Sequence, residues 1–497
     1  MHVYDFSLRC RHCDVETLEP VVASVTGCIP EYAYGDYLFN GGGIGKFGDA
    51  EYQHTFDFGA VLQKVSVSSS GSRYMSRYLQ TSTLARNQKA GTIVVPEFGT
   101  KAVDLNGNGG FFGKIAKIAN YSSNMTDNAA VNVLALNDKV YAIGETSTWH
   151  ELDATDLTVI CKNTDLDKAG LVTCCPHFKR SSNGNVVSVG QSITAVGPKY
   201  NVIEFPADGE PPSVVARTNP RWKLSASQLH DFGLTQNYLI IIEHPFYIRF
   251  VEVIKAVIKS ACYVDTFKWC PEDNTSITVI DQRTWKPLSL KFTFESLLVS
   301  HFINSFETEC GDLVLDLESF TSPDVITDFF ISNLRQPKDR HALDADFSES
   351  LYRVIVPLST ASPSAEIHLE AKLLSEVGFG QSKINPKYEG REYSYAYGVA
   401  HTEHDHGRVS KLTVSTGEVI HFTEPGLYPA ELMYIPNPSE KAEDDGVVVS
   451  FCLSSRDARL GTLLFLSAAD MKLLARVEFT AAGAVTWTSH GIFIPES

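Results

Sequence analysis

The sequence predicts an all-β protein. Short β-branched or alternating runs recur along the chain, turn residues separate them, and few stretches keep a helical period. The runs are Gly91–Pro96, Val131–Leu136, Lys139–Ile143, Val186–Val189, Ser276–Val279, Asp312–Leu317, Tyr352–Pro357, Lys411–Val414, Gly446–Ser450 and Thr462–Leu466. Gly, Asn, Asp and Ser turns between them suit a sandwich, barrel or propeller, and no WD or kelch period selects among the three. No low-complexity tract or Pro/Ser-rich linker divides residues 1–497, so one domain is expected. A propeller accommodates such a length because each blade adds its own small core.

Two segments read as helices. Phe111–Ile118 places Phe111, Phe112, Ile115 and Ile118 on one face, with Lys114 and Lys117 opposite. Phe250–Ala261 does the same with Val251, Ile254, Val257 and Ile258. Such stripes normally pack on a core, but basic residues beside bulky apolar ones also suit a helix lying in a membrane interface.

Charge removes some partners. The 42 Lys+Arg against 59 Asp+Glu leave a net charge of −17, and no basic stripe stands out. Nucleic acid is therefore not expected, since its binding requires cations that displace counterions. With 43% hydrophobic residues the chain has ample core. No run reaches the ~18–20 apolar residues of a spanning helix. The nearest, Tyr238–Tyr263, is broken by Glu243, His244, Pro245, Arg249, Glu252, Lys255 and Lys259. Ten scattered cysteines and a mixed polar start, His2–Arg11, point to a reduced intracellular protein. Cys10 and Cys13 are expected as free thiols near a loose terminus, because no second CxxC completes a zinc site.

Four distant segments carry the chemistry: Thr173–His177 (TCCPH), Leu229–Tyr238 (LHDFGLTQNY), His301–Glu307 (HFINSFE) and Ser489–Phe493 (SHGIF). Neutral imidazole binds divalent iron, copper or zinc, and geometry decides among them. Two other features are expected as turns. His401, His404 and His406 look like a hairpin tip, and Asn40–Gly45 has no P-loop context.

The histidine frames resemble the iron-binding motifs of the carotenoid cleavage oxygenase family, which includes a retinoid isomerase. Further similar segments run nearly end to end, among them IPEYAYGDYLFN at 29–40, PEFGT at 96–100, YAIGET at 141–146 and YSYAYG at 393–398. The resemblance implies a seven-bladed β-propeller with short helices capping the metal-bearing face, and Fe2+ on its axis. It implies His230, His301 and His490 as ligands, with Glu145 and Glu431 orienting them. Where the family has its first ligand histidine this chain has Cys175. That residue is expected as the fourth ligand, with His177 as rival because residues i and i+2 of a strand face one side, and a three-histidine site as the remaining possibility. The family's third orienting glutamate should lie in 378–385, where this chain has Gly378 and Gly380, leaving Glu376 as the possible substitute.

The function so implied is an iron-dependent dioxygenase that uses dioxygen to cleave a double bond of a carotenoid or apocarotenoid, giving aldehydes or ketones such as retinal. Cys175 at a ligand position would weaken that activity. A non-catalytic carotenoid- or retinoid-binding protein is the alternative, with retinyl-ester isomerohydrolysis as an enzymatic variant. A cytoplasmic protein is expected, docking peripherally on a membrane through Phe111, Phe112, Ile115 and Ile118 and through Tyr247–Ile258.

Overall fold

Side-chain alternation turns most of the chain into antiparallel ladders. Val186–Thr194 and Gly197–Phe205 pair along their whole lengths, with Val189 opposite Val202. Val187, Val189, Val202 and Ile203 from this hairpin are all buried, because both faces of a blade pack against neighbours. The computed structural model of the protein describes residues 5–103, 125–259, 262–335, 349–362, 366–400 and 407–496.

Among the described residues the larger sheets form seven blades. Five are separate sheets of four, five, six, four and four strands. The other two share a nine-stranded path joined at Thr17–Gly27, which pairs with Leu473–Thr480 on one side and Gly71–Tyr78 on the other. A second closure lies beside it, where His490–Pro495 pairs with Gly35–Ile44. Both ends of the chain thus lock the ring, and the second lock places His490 opposite Asn40 near the axis.

Most sequence-predicted strands occur, several longer than expected: Thr275–Asp281, Leu313–Phe320 and Gly446–Ser454 are examples. Gly91–Pro96 is not a strand. Gly91, at φ +62°, instead terminates a helix, Ser82–Ala90, whose other end is capped by the Thr81 hydroxyl accepting the Leu84 N–H at 3.0 Å. The glycine-rich stretch at 40–45 is not a turn either. It continues the axial strand Gly35–Ile44, where a Cβ at Gly41 would strike the Trp487 carbonyl.

Cys10 and Cys13 are buried rather than loose, Cys10 at the end of a 3-10 turn and Cys13 with its N–H bonded to the Gly43 carbonyl. All ten cysteines are free. The second expected helix is present as Phe250–Lys259. The first, with Phe111, Phe112, Ile115 and Ile118, lies outside the described residues, as do His401, His404 and His406. No helix among the described residues is long and apolar enough to cross a membrane.

Candidate metal centre

Four histidines meet where the blades' inner ends converge. His301 lies within Leu298–Glu307 and His490 begins His490–Pro495. His230 follows the short strand Ser225–Ser227, and His177 sits between Thr173–Cys174 and Lys179–Arg180. One ring nitrogen from each lies within 4.8 Å of the others. His177 Nε2 is 3.2 Å from His230 Nε2, which is 3.2 Å from His301 Nε2.

Carboxylates stand behind three of the rings. Glu145 Oε1 takes a hydrogen bond from His230 Nδ1 at 2.7 Å, and Glu318 Oε2 takes one from His301 Nδ1 at 3.0 Å. Glu431 Oε2 is 3.7 Å from His490 Nδ1, an ion-pair distance rather than a hydrogen bond, and its Oε1 is 3.1 Å from Lys383 Nζ. A carboxylate that accepts the Nδ1 proton fixes the tautomer and leaves Nε2 with a bare lone pair facing the centre.

The electrostatics differ from ring to ring. Burial, reinforced by the neighbouring rings and Lys383, holds His177 and His490 well below the usual histidine range, so both are neutral. Burial alone would depress His230 as well, but the Glu145 hydrogen bond and charge outweigh it and raise that ring. Bare nitrogens facing one another at 3.2 Å in a buried site repel unless a proton or cation lies between them. Four convergent imidazoles of this kind fit a divalent transition metal.

Cys175 is not in this cluster. Its Sγ–H is directed at the Leu229 carbonyl at 3.3 Å, among Val187, Val189 and Phe232. Burial, with Cys174, Asp231 and Glu145 nearby, pushes the thiol far above its ordinary range and keeps it protonated. The same-side argument fails because the strand ends at Cys174 and Pro176 interrupts the alternation before Lys179–Arg180. Cys175 turns into the blade and His177 toward the other histidines. Glu376 is exposed, and the carboxylate hydrogen-bonded to His301 is that of Glu318, outside the 378–385 stretch.

A further residue, Asp231, was not anticipated. Its carboxylate accepts the N–H groups of Phe302 at 2.8 Å and Phe232 at 2.7 Å, and Lys179 Nζ lies 3.1 Å away. One buried carboxylate thereby braces the segments that carry His230, His301 and His177. Its place directly after His230 was the available signal.

A cavity of about 950 Å³ leads to the histidines, with His230, His301 and His490 in its wall. Phe98, Phe246 and Phe267 line it, the last two stacked at 4.7 Å between ring centroids. Phe56 and Val103 also line it yet are 51% and 50% exposed, which puts them at the mouth.

The sequence model of the family described as retinal pigment epithelial membrane protein, RPE65, matches residues 10–495. The chain belongs to this family of carotenoid oxygenases. Among its relatives, the carotenoid isomerooxygenase of Galleria mellonella is 29% identical over 99% of this chain and 97% of its own. The beta,beta-carotene 15,15'-dioxygenase of Mus musculus is 30% identical over 97% of this chain and 90% of its own. A glutamate-to-glutamine variant of Synechocystis apocarotenoid oxygenase superposes with a TM-score of 0.82 at 19% identity, covering 100% of both chains. A cobalt-substituted form of that oxygenase gives 0.80 at 18% identity, again over 100% of both. Family membership thus agrees with the seven-bladed fold.

Proposed function

We propose that the protein is an iron-dependent dioxygenase that cleaves a double bond of a carotenoid or apocarotenoid, and that residues 1–497 act as one domain. The observation that carries this is the convergence of His177, His230, His301 and His490 at the end of a largely apolar cavity, with the last three in its wall. These four side chains would hold Fe2+, with His177 in the place expected of Cys175. Iron so held supplies the activation of dioxygen. The family membership and the names of the relatives, a carotenoid isomerooxygenase and a beta-carotene dioxygenase, support the substrate class.

The chain's own residues perform the remaining tasks. Glu145 keeps the Nδ1 proton of His230 and so presents its Nε2 inward. Phe98, Phe246 and Phe267 offer a polyene flat apolar walls and exclude water from the site. Gln228 Nε2 donates to Glu145 Oε2 at 2.5 Å and so holds that carboxylate against His230.

A polyene is scarcely soluble in water, so the cavity mouth is the natural place to meet a bilayer. Phe56 and Val103 are half exposed there, and Val103 leads directly into the segment containing Phe111, Phe112, Ile115 and Ile118. Their combined burial, at ~2 kcal/mol or less for each large apolar side chain, suits reversible peripheral docking of a cytoplasmic protein.

The test is turnover of β-carotene and of an apocarotenal under isotopically labelled dioxygen, with products identified by mass. Labelled aldehyde or ketone, lost in His301→Ala, is expected. Intact polyene bound by iron-loaded protein would replace this reading with the non-catalytic one.

A further inference from the structure

Position 380 is a glycine, in the stretch where the family resemblance leads one to expect a glutamate, and the space its side chain would fill is taken. A Cβ built there would fall on the carboxylate of Glu349. Glu349 arrives from the residue just before strand Ser350–Val356, where its Oε1 accepts the Ser300 hydroxyl at 2.6 Å. That oxygen also lies 3.9 Å from His301 Nδ1.

The carboxylate that bonds His301 comes from elsewhere again. Glu318 lies on Leu313–Phe320, directly across the ladder from His301, and is 0% exposed. Its Oε2 accepts from His301 Nδ1 and from the Gln381 N–H, each at 3.0 Å, and its Oε1 accepts the Ser382 N–H at 2.6 Å. Two successive N–H groups turn toward one carboxylate because the backbone leaves its register between Gly380 and Lys383. Gln381 there has φ +55°, the left-handed region, and its side chain donates to the Ser489 carbonyl beside His490 at 2.8 Å. Strain of that kind persists only where the surroundings over-determine it.

We propose that Glu318 is the positioning residue of His301, doing from the adjacent strand what a side chain at position 380 does not do, with Glu349 filling the room the glycine leaves. The inference rests on the four-histidine metal reading. A purely structural Glu318 would support the bend at Gln381 and leave metal affinity alone. A positioning Glu318 sets the tautomer and aim of the ring, so its loss changes affinity and ligand field, and a carboxylate supplied from position 380 restores both.

Cobalt(II) is the probe, read by equilibrium dialysis and by visible d–d absorption of the loaded protein. Glu318→Gln is expected to bind it ~10–100-fold more weakly, with an altered d–d spectrum. The triple variant Glu318→Ala/Gly380→Glu/Glu349→Ala is expected to recover wild-type affinity and spectrum. Wild-type affinity and spectrum in Glu318→Gln would overturn the proposal, as would a triple variant that binds weakly. If Glu318→Gln does not fold, the triple variant decides alone: folded with wild-type affinity upholds the proposal, weak binding or no fold overturns it. His301→Ala separates this from the parent reading. Cobalt retained in His301→Ala sinks the metal site itself, whereas cobalt lost there but kept in Glu318→Gln sinks only the role of Glu318.

Discussion

His177 Nε2 stands 3.2 Å from His230 Nε2, while Cys175, two residues earlier, points its Sγ at the Leu229 carbonyl inside a blade. The chain therefore brings four imidazoles together despite the cysteine. The histidine absent at position 175 is found two residues later, beyond Pro176.

Replacing Cys175 by histidine is accordingly a damaging change rather than a repair. The larger polar ring would enter a site that is 2% exposed and surrounded by Val187, Val189 and Phe232. Denaturant unfolding of Cys175→His should show a loss of about 2 kcal/mol or more, from overpacking and an unsatisfied polar ring. Bound iron should not increase. A variant that is more stable and richer in iron than the wild type would contradict the placement of Cys175.

Asp231 is expected to matter more than any residue of similar size near the site. Removing its carboxylate leaves Lys179 without its partner and two backbone N–H groups without acceptors. Asp231→Ala should cost about 3 kcal/mol and lower metal retention with it. Thermal unfolding with and without metal would check this, and a melting temperature within a degree of wild type would exclude the brace.

Glu243 provides a pH prediction away from the histidines. Burial pushes its carboxyl up from the ordinary 4.5 to about 7, even though it accepts the Tyr200 hydroxyl at 3.2 Å and the Arg221 N–H at 2.9 Å. Between those two values the folded protein holds a proton that the unfolded chain has lost. Stability contributed by this group therefore falls as pH rises from about 4.5 to about 7, and stays low above that. Glu243→Gln keeps an oxygen for both donors and removes the charge. It should be more stable than wild type by about 1–3 kcal/mol at pH 8 and indistinguishable at pH 4. Equal stability of the two proteins at pH 8 would contradict a carboxyl raised by burial.

Peripheral docking has its own measurement. Phe111→Ser/Phe112→Ser should sediment with neutral phospholipid liposomes much less than wild type, since each lost phenylalanine removes up to ~2 kcal/mol of apolar burial. Equal partitioning would detach this segment from membrane binding.

Much of this molecule was legible in the sequence, and the failures have physical causes. His230 and His301 sit in long motif frames on or beside regular strands, and both reach the cluster. Glu145 and Glu431 lie behind rings as the resemblance implied, although Glu431 stops at 3.7 Å. The resemblance places Cys175 first because it stands at the family's ligand position, and the i and i+2 alternation offered for His177 does not apply, since the strand ends at Cys174 and Pro176 follows. Glu318 carried no local signal. Its role comes from ladder pairing with His301 and from a backbone bend more than sixty residues further on, neither of which has a sequence period. Asn40–Gly45 was read as a turn from its glycines, when those glycines let a strand pack tightly against Trp487 at the axis. Ser82–Ala90 went unread although Thr81 and Gly91 mark both of its ends.

The most direct test of the account is metal content. Protein purified without oxygen should carry close to one iron per chain by elemental analysis. Cys175→Ala should keep that iron, and His177→Ala should lose most of it. Iron lost in Cys175→Ala but retained in His177→Ala would contradict the central claim that His177 completes the four-histidine centre.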